Sequence, residues 1–279
     1  MKYGLYLPNF GEDFHPRALA ELAREAEEAG WDGFFLWDHM LASKSQKLRV
    51  FDPWVTLAAM AMNTERIRLG TTVTPLARRR PWKLARETVT LDHLSGGRLI
   101  LGVGLGEPPD ADFAFFGDES DPKRRAELLD EGLQILAGLW RGKPFHFEGK
   151  HYQIQNVTFR PTPIQAPRIP VWVGGFWPHK APFRRAARWD GAIPLGRGFP
   201  EPKDVNEVRH FILGQRKDSS PFDIAVIGAA HSHTKKGKKD PGKVLKYAEV
   251  GATWWLEALY LERNSVEEMR TVIQAGPPK

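Results

Sequence analysis

Residues 64–104 read TERIRLGTTVTPLARRRPWKLARETVTLDHLSGGRLILGVG and hold one complete strand–helix–strand unit. Ile67–Val73 is mostly apolar and β-branched with little polar alternation, the pattern of a strand covered on both faces. Pro81 then opens a helix at a position that tolerates a missing N–H, and Leu84, Thr88, Leu91 and Leu94 follow at helical intervals. Gly96–Gly97 stops that helix and delivers the chain into a second apolar run, Arg98–Val103. Two such strands joined by a helix predict a parallel pair, since antiparallel neighbours can be joined by a short turn.

The same unit recurs on either side. Toward the N-terminus come a strand at Lys2–Leu7, a helix at Pro16–Ala29 with Leu19, Leu22, Ala23 and Ala26 on one face, a strand at Gly33–Trp37 and a helix at Pro53–Met62. Toward the C-terminus, a helix over Lys123–Trp140 precedes strands at Val171–Gly175, Gly191–Pro194, Asp223–Gly228 and Thr253–Leu256. These alternate with helices at Arg184–Arg188, Val205–Leu213, Lys243–Val250 and Val266–Ile273. The rhythm breaks only over 142–169, where the alternating Phe145–Glu148, a Gly149–Lys150 turn and Tyr152–Ile154 predict a β-hairpin. The expectation is an α/β fold, a (β/α)8 TIM barrel in one domain over 1–279, with a β-hairpin-containing insertion before strand five.

Composition fits that reading and removes several classes. In 279 residues, 42% hydrophobic content with 16 Phe and 10 Trp supplies a large core and excludes disorder. The net charge of +6 suits an anionic small molecule, whereas Lys and Arg scattered among acids, without interleaved aromatics, argue against nucleic acid. The absence of Cys removes thiolate nucleophiles and Cys-held metals and fits a reducing cytoplasm. No run approaches the ~20 apolar residues of a membrane span. Gly102–Gly106 is followed by Glu107 and so is not a dinucleotide fingerprint, and neither a serine elbow nor a P-loop occurs.

In a parallel barrel the chemistry lies at the C-terminal strand ends, which puts Asp38–His39, Thr72–Val73, Gly104 to Glu107, Gly174–Gly175 and Arg197 at the mouth. Adjacent residues of an extended strand face opposite ways, so one of Asp38 and His39 aims inward, and His39 suits proton traffic; the other reading is a loop cap. Gly174–Gly175 leaves backbone N–H groups unobstructed for a phosphate, or simply makes a tight turn. Trp37, Trp54, Phe176, Trp177 and Trp254 are candidates for an apolar pocket wall, with simple core as the other reading. Arg78–Arg80, at the same mouth, reads as a solvated charge run or as a contact for an anionic tail, and Lys235–Lys239 as solvated surface or a lid. His231 and His233 could chelate from a strand, but with no third ligand nearby no metal is expected.

Several segments carry a family likeness. Thr64–Pro75, Arg79–Pro81, Leu84–Glu87 and Leu91–Leu99, with Trp37–His39, Asp52–Val55, Gly102–Gly104 and Pro170–Gly175, resemble the luciferase-like monooxygenase family in the right order over nearly the whole chain. The resemblance implies a (β/α)8 barrel that binds coenzyme F-420 (a deazaflavin) or FMN and performs hydride transfer or oxygenation on a small organic substrate. It implies His39 and Glu107 as catalytic groups, Glu107 as an acid, with a solvated loop carboxylate as the other reading of that residue. Asp38, Thr72, Val73, Gly104, Gly174, Gly175, Phe176 and Arg197 become cofactor-binding residues, with a non-prolyl cis peptide at Thr72–Val73 beneath the ring. Deazaflavin-dependent sugar-phosphate dehydrogenases of the family place a Trp shortly after the His, where this chain has Met40–Ser43. The polyanionic tail of the deazaflavin matches the positive net charge. Expected partners are the cofactor, a small-molecule substrate and a second copy of the chain as a homodimer. A noncatalytic flavin-binding barrel is the competing reading, since a fold does not fix a function.

Overall fold

The computed structural model describes residues 1–11, 14–41, 49–217, 219–230, 239–260 and 265–279. Eight parallel strands close into a barrel: β1 (Lys2–Leu7), β2 (Gly33–Leu36), β3 (Arg68–Pro75), β4 (Leu99–Gly104), β7 (Val171–Phe176), β8 (Gly191–Leu195), β9 (Asp223–Gly228) and β10 (Trp254–Ala258). Around the ring the order is β1-β10-β9-β8-β7-β4-β3-β2, so β7 lies opposite β1, β8 opposite β2 and β4 opposite β10. The outer layer comprises α1 (Pro16–Glu28), α2 (Pro53–Met62), α3 (Pro81–Leu94), α4 (Pro122–Leu139), α5 (Lys180–Ala186), α6 (Pro202–Leu213), α7 (Pro241–Glu249) and α8 (Val266–Gln274). The barrel expected from the strand–helix rhythm is therefore present. The helix after β7 starts at Lys180, earlier than the expected Arg184, because Pro182 falls in its first turn, where no N–H is missed.

The insertion is an antiparallel hairpin of β5 (Phe145–Glu148) and β6 (Gln153–Val157) between α4 and β7. Glu131 of α4 accepts hydrogen bonds from the backbone N–H groups of Lys150, His151 and Tyr152. Buried Asp92 of α3 accepts from the N–H groups of Ile164 and Gln165 and from Gln165 Nε2. Two carboxylates thus fasten the hairpin and the loop that leads from it to β7 onto helices α4 and α3.

Phe35, Trp172 and Trp254 pack within 5.3–5.8 Å of one another inside the barrel and close its lower end. Arg98, just before β4, makes five donations at that same end: to Ser95 O, Thr64 Oγ1, Ile67 O, Ala61 O and Thr64 O. It thereby caps the carbonyl end of α2, holds the entry to β3 and closes the α3–β4 turn. Among the described residues no helix is long and apolar enough to cross a membrane.

Candidate active site

The C-terminal strand ends surround a cavity of about 950 Å³. All ten residues singled out from the sequence line it: Asp38, His39, Thr72, Val73, Gly104, Glu107, Gly174, Gly175, Phe176 and Arg197. Their settings differ.

His39 follows β2, and its Nδ1 lies 2.6 Å from Asp112 Oδ2. Because a carboxylate accepts, this contact puts the ring proton on Nδ1 and leaves Nε2 as the basic nitrogen for the cavity. Buried Asn9, after β1, fixes the backbone beneath by accepting from His39 N and donating to the carbonyls of His39 and Phe51. Asp112 also accepts from Met40 N and Leu41 N, so the loops after β2 and β4 are tied through one buried side chain.

Asp38, just beyond β2, turns its carboxylate into the wall. Its carboxylate is 1% exposed and lies 2.9 Å from Arg78 Nη2 and 2.7 Å from Arg79 Nη2, with Thr74 Oγ1 donating at 2.9 Å. It is thus taken up by side chains behind the wall. Arg78 continues to Asp112, Nη1 to Oδ2 at 3.4 Å. The expected solvated run at Arg78–Arg80 is corrected here. The 3-10 turn Leu76–Arg78 folds the chain back under β2, leaving Arg78 3% and Arg79 17% exposed, and only Arg80 reaches solvent. Burial alone would lower the Arg79 guanidinium, but attraction from Asp38 and hydrogen bonding to it, with Asp52 and Glu87 adding, hold it above its ordinary value. A chain of alternating charge, Arg79–Asp38–Arg78–Asp112–His39, therefore runs through the buried wall to the cavity.

The floor is a bulge in β3, where the pairing with β4 slips between Thr71 and Thr74 and the Thr72–Val73 peptide is cis. Val73 sits between two glycines: a Cβ on Gly104 would fall 2.7 Å from Val73 Cγ2, and one on Gly174 2.9 Å from Val73 Cγ1. Thr72 Oγ1 is buried in the cavity wall with no hydrogen-bond partner. Gly175 is bare for a different reason, the close packing of Pro182 from α5. A supported bump, a slot of glycines and an orphaned hydroxyl suit a flat polar ring laid on Val73, which is the shape of a flavin or deazaflavin. Phe176 and Arg197 are exposed at the rim.

Glu107 lies three residues beyond β4, exposed at the mouth, so it belongs to the loop rather than the strand end. Arg125 Nη1 supports that loop by donating to the carbonyls of Leu105 and Gly106. Of the expected aromatic wall, Trp37 and Phe176 line the cavity. The other three are corrected: Trp54 lies under Arg79, Trp177 packs outside against Phe183, and Trp254 fills the lower barrel as the first residue of β10. Tyr6 and Tyr260, which sequence reading passed over, complete the wall instead. His231, His233 and Lys235–Lys238 lie outside the described residues; among those described, no group of three His, Asp or Glu could hold a metal ion.

Asp112 is the main omission of the sequence reading. It stands 73 positions from His39, so no spacing links them, and the usable signal was only that Asp110–Asp112 occupies a loop at the catalytic face.

Burial, and to a lesser degree Tyr260, hold the Tyr6 phenol far above the usual tyrosine range, and burial raises the Tyr260 phenol too. A phenol raised in the folded state contributes stability that is intact below its unfolded pKa of about 10 and lost as pH rises above it. All five tyrosines are raised. The midpoint of thermal unfolding should therefore fall above about pH 10, and tyrosinate absorbance should appear with unfolding. Reversible ionisation of all five phenols near pH 10 in the folded protein would contradict this burial.

A family model described as luciferase-like monooxygenase matches residues 1–240. The chain is 34% identical to an F420-dependent glucose-6-phosphate dehydrogenase of Nakamurella multipartita, over 95% of this chain and 86% of that one. An uncharacterized protein of Mycobacterium tuberculosis is 31% identical over 91% of this chain and 90% of its own length. Among solved structures, an F420-dependent secondary alcohol dehydrogenase in complex with an F420–acetone adduct superposes with a TM-score of 0.81 at 16% identity, covering 99% and 98% of the two chains.

Proposed function

Because the chain belongs to the luciferase-like monooxygenase family, we propose that it is an oxidoreductase that uses a reduced deazaflavin or FMN at the barrel mouth to act on a small organic substrate. One observation carries the reading: His39, oriented by Asp112, stands in the same cavity as the glycine-flanked Val73 bulge. When bound, the cofactor would supply a hydride, or with FMN an activated oxygen. Val73 would support the ring from below, and Thr72 Oγ1 would find in it the partner it lacks. The Gly174–Gly175 backbone, Arg197 and Lys123 would meet phosphate and tail. Nε2 of His39 would hold or deliver the proton that accompanies transfer, and Glu107 is placed to serve as a second acid at the rim. Lys123, Arg185 and Arg197 line the cavity, Arg185 being paired with Asp130, and the other two favour the cofactor with the longer anionic tail.

Titration of the purified protein with oxidised coenzyme F-420 and with FMN, read by fluorescence and thermal stability, tests this. The deazaflavin is expected to bind more tightly, and binding of neither would overturn the reading. Gly174→Ala should weaken the bound cofactor roughly tenfold, about 1.4 kcal/mol, since the new methyl displaces Val73. Unchanged affinity in that variant would remove Val73 from the cradle.

We further propose that the chain pairs with a second copy through a face away from the cavity. Helix α2 is apolar on its outer side as well, with Val55 68% and Met62 70% exposed. The expected species in sedimentation is a dimer, converted to monomer by Val55→Glu with Met62→Glu; a wild-type monomer would refute it.

A further inference from the structure

The cavity has two unlike halves. The barrel order sets β1, β2 and β10 opposite β7, β8 and β4. Among the described residues, the Lys and Arg side chains that line the cavity all come from the second group: Lys123 on the helix after β4, Arg185 on the helix after β7 and Arg197 after β8. Arg185 is already held by Asp130 at 2.7 Å. Whereas the charged half adds only Phe176 and Phe199 as carbocyclic rings, on the opposite side stand Tyr6 of β1, Trp37 and His39 after β2, and Tyr260 after β10, with no Lys or Arg among them. Trp37 is their hub, with centroids 4.7 Å from Tyr260, 5.3 Å from Tyr6 and 5.5 Å from His39. The nearby guanidinium groups of Arg78 and Arg79 are held behind the wall by Asp38 and Asp112. Trp37 Nε1 is buried and has no hydrogen-bond partner.

We propose that the reacting end of the substrate, seated against Tyr6, Trp37 and Tyr260 beside His39, is an uncharged apolar ring or hydrocarbon bearing a single oxygen function, not a polyol or a sugar phosphate. The wall rewards apolar area and its polar atoms are few, Trp37 Nε1, His39 and the Tyr6 and Tyr260 hydroxyls, so hydroxyls beyond those they can meet lose hydration without replacement. The charged half then remains for the anionic portion of the cofactor. This assignment separates the chain by substrate from its glucose-6-phosphate-dehydrogenase relative. It rests on the oxidoreductase reading of the cavity.

Three six-membered rings test it: cyclohexanol, glucose and glucose 6-phosphate, titrated calorimetrically into protein saturated with whichever oxidised cofactor it binds, and into protein without cofactor. Cyclohexanol is expected to bind at least tenfold more tightly than either sugar. Trp37→Ala should lose about tenfold for cyclohexanol, and Tyr260→Lys should lose cyclohexanol affinity while gaining glucose 6-phosphate affinity. Should Trp37→Ala fail to fold, Tyr260→Lys carries the test alone. Absence of cyclohexanol binding, equal or tighter binding of either sugar, or indifference to both substitutions would overturn the proposal. The cofactor titration keeps the two readings apart: cofactor binding with a preference for the sugar phosphate sinks only the substrate class, and cyclohexanol preference without cofactor binding sinks only the oxidoreductase reading.

Discussion

Asp38→Ala is expected to destabilise the protein by about 3–5 kcal/mol, the cost of leaving a buried charge without its partner. Here two guanidinium groups lose their shared carboxylate, and neither reaches enough water to replace it. At ~3 °C per kcal/mol for a chain of this size, the unfolding midpoint should drop on the order of 10 °C. Denaturant unfolding followed by circular dichroism measures this directly, and a loss below about 1 kcal/mol would mean the pair behaves like an exposed one. The reverse experiment is informative because buried ion networks are often replaceable as a unit. Asp38→Leu with Arg79→Met should recover part of the loss, provided Arg78 keeps its contact to Asp112.

The second large effect is kinetic. His39→Ala should lower turnover by about 10²–10⁴-fold, the range for loss of a positioned proton-transfer group. Cofactor affinity and the unfolding midpoint should change little, because the ring lies at the cavity edge rather than in the core. Full turnover in that variant would leave the noncatalytic flavin-binding barrel as the better reading. Asp112→Asn separates orientation from chemistry. An amide can present its N–H where a carboxylate accepted, favouring the wrong tautomer and placing the proton on Nε2, so turnover should fall while His39 remains. Comparison of kcat with KM for the two variants distinguishes lost proton transfer from lost binding.

The barrel was legible because its signals are local. The apolar run Ile67–Val73, the proline at position 81 and the glycines at 96 and 97 each act within a few residues, and repetition of that unit fixes a closed parallel sheet. The mouth residues were legible for a related reason: once the strands are placed, their C-terminal ends follow. The electrostatics behind them were not. Arg78 and Arg79 look like a solvated run in one dimension, and only the turn at Leu76–Arg78 shows that they point inward to a carboxylate 40 residues earlier. Asp112 and Tyr260 escaped for the same reason, since their partners are contributed by other strand ends. Trp254 was misplaced because an aromatic residue at a strand boundary does not announce which end of the barrel it occupies.

Arg98 shows what kind of information the most recognisable part of this chain holds. Its five donations lie at the entry ends of the strands, across the thickness of the barrel from His39 and the cavity. The Leu94–Leu99 segment, which carries much of the family likeness, is thus in this chain a fastening at the end of the barrel away from the mouth. The words by which this protein is identified are those that say least about its substrate, and two chains sharing them are free to diverge in chemistry by altering a few rings on the far rim.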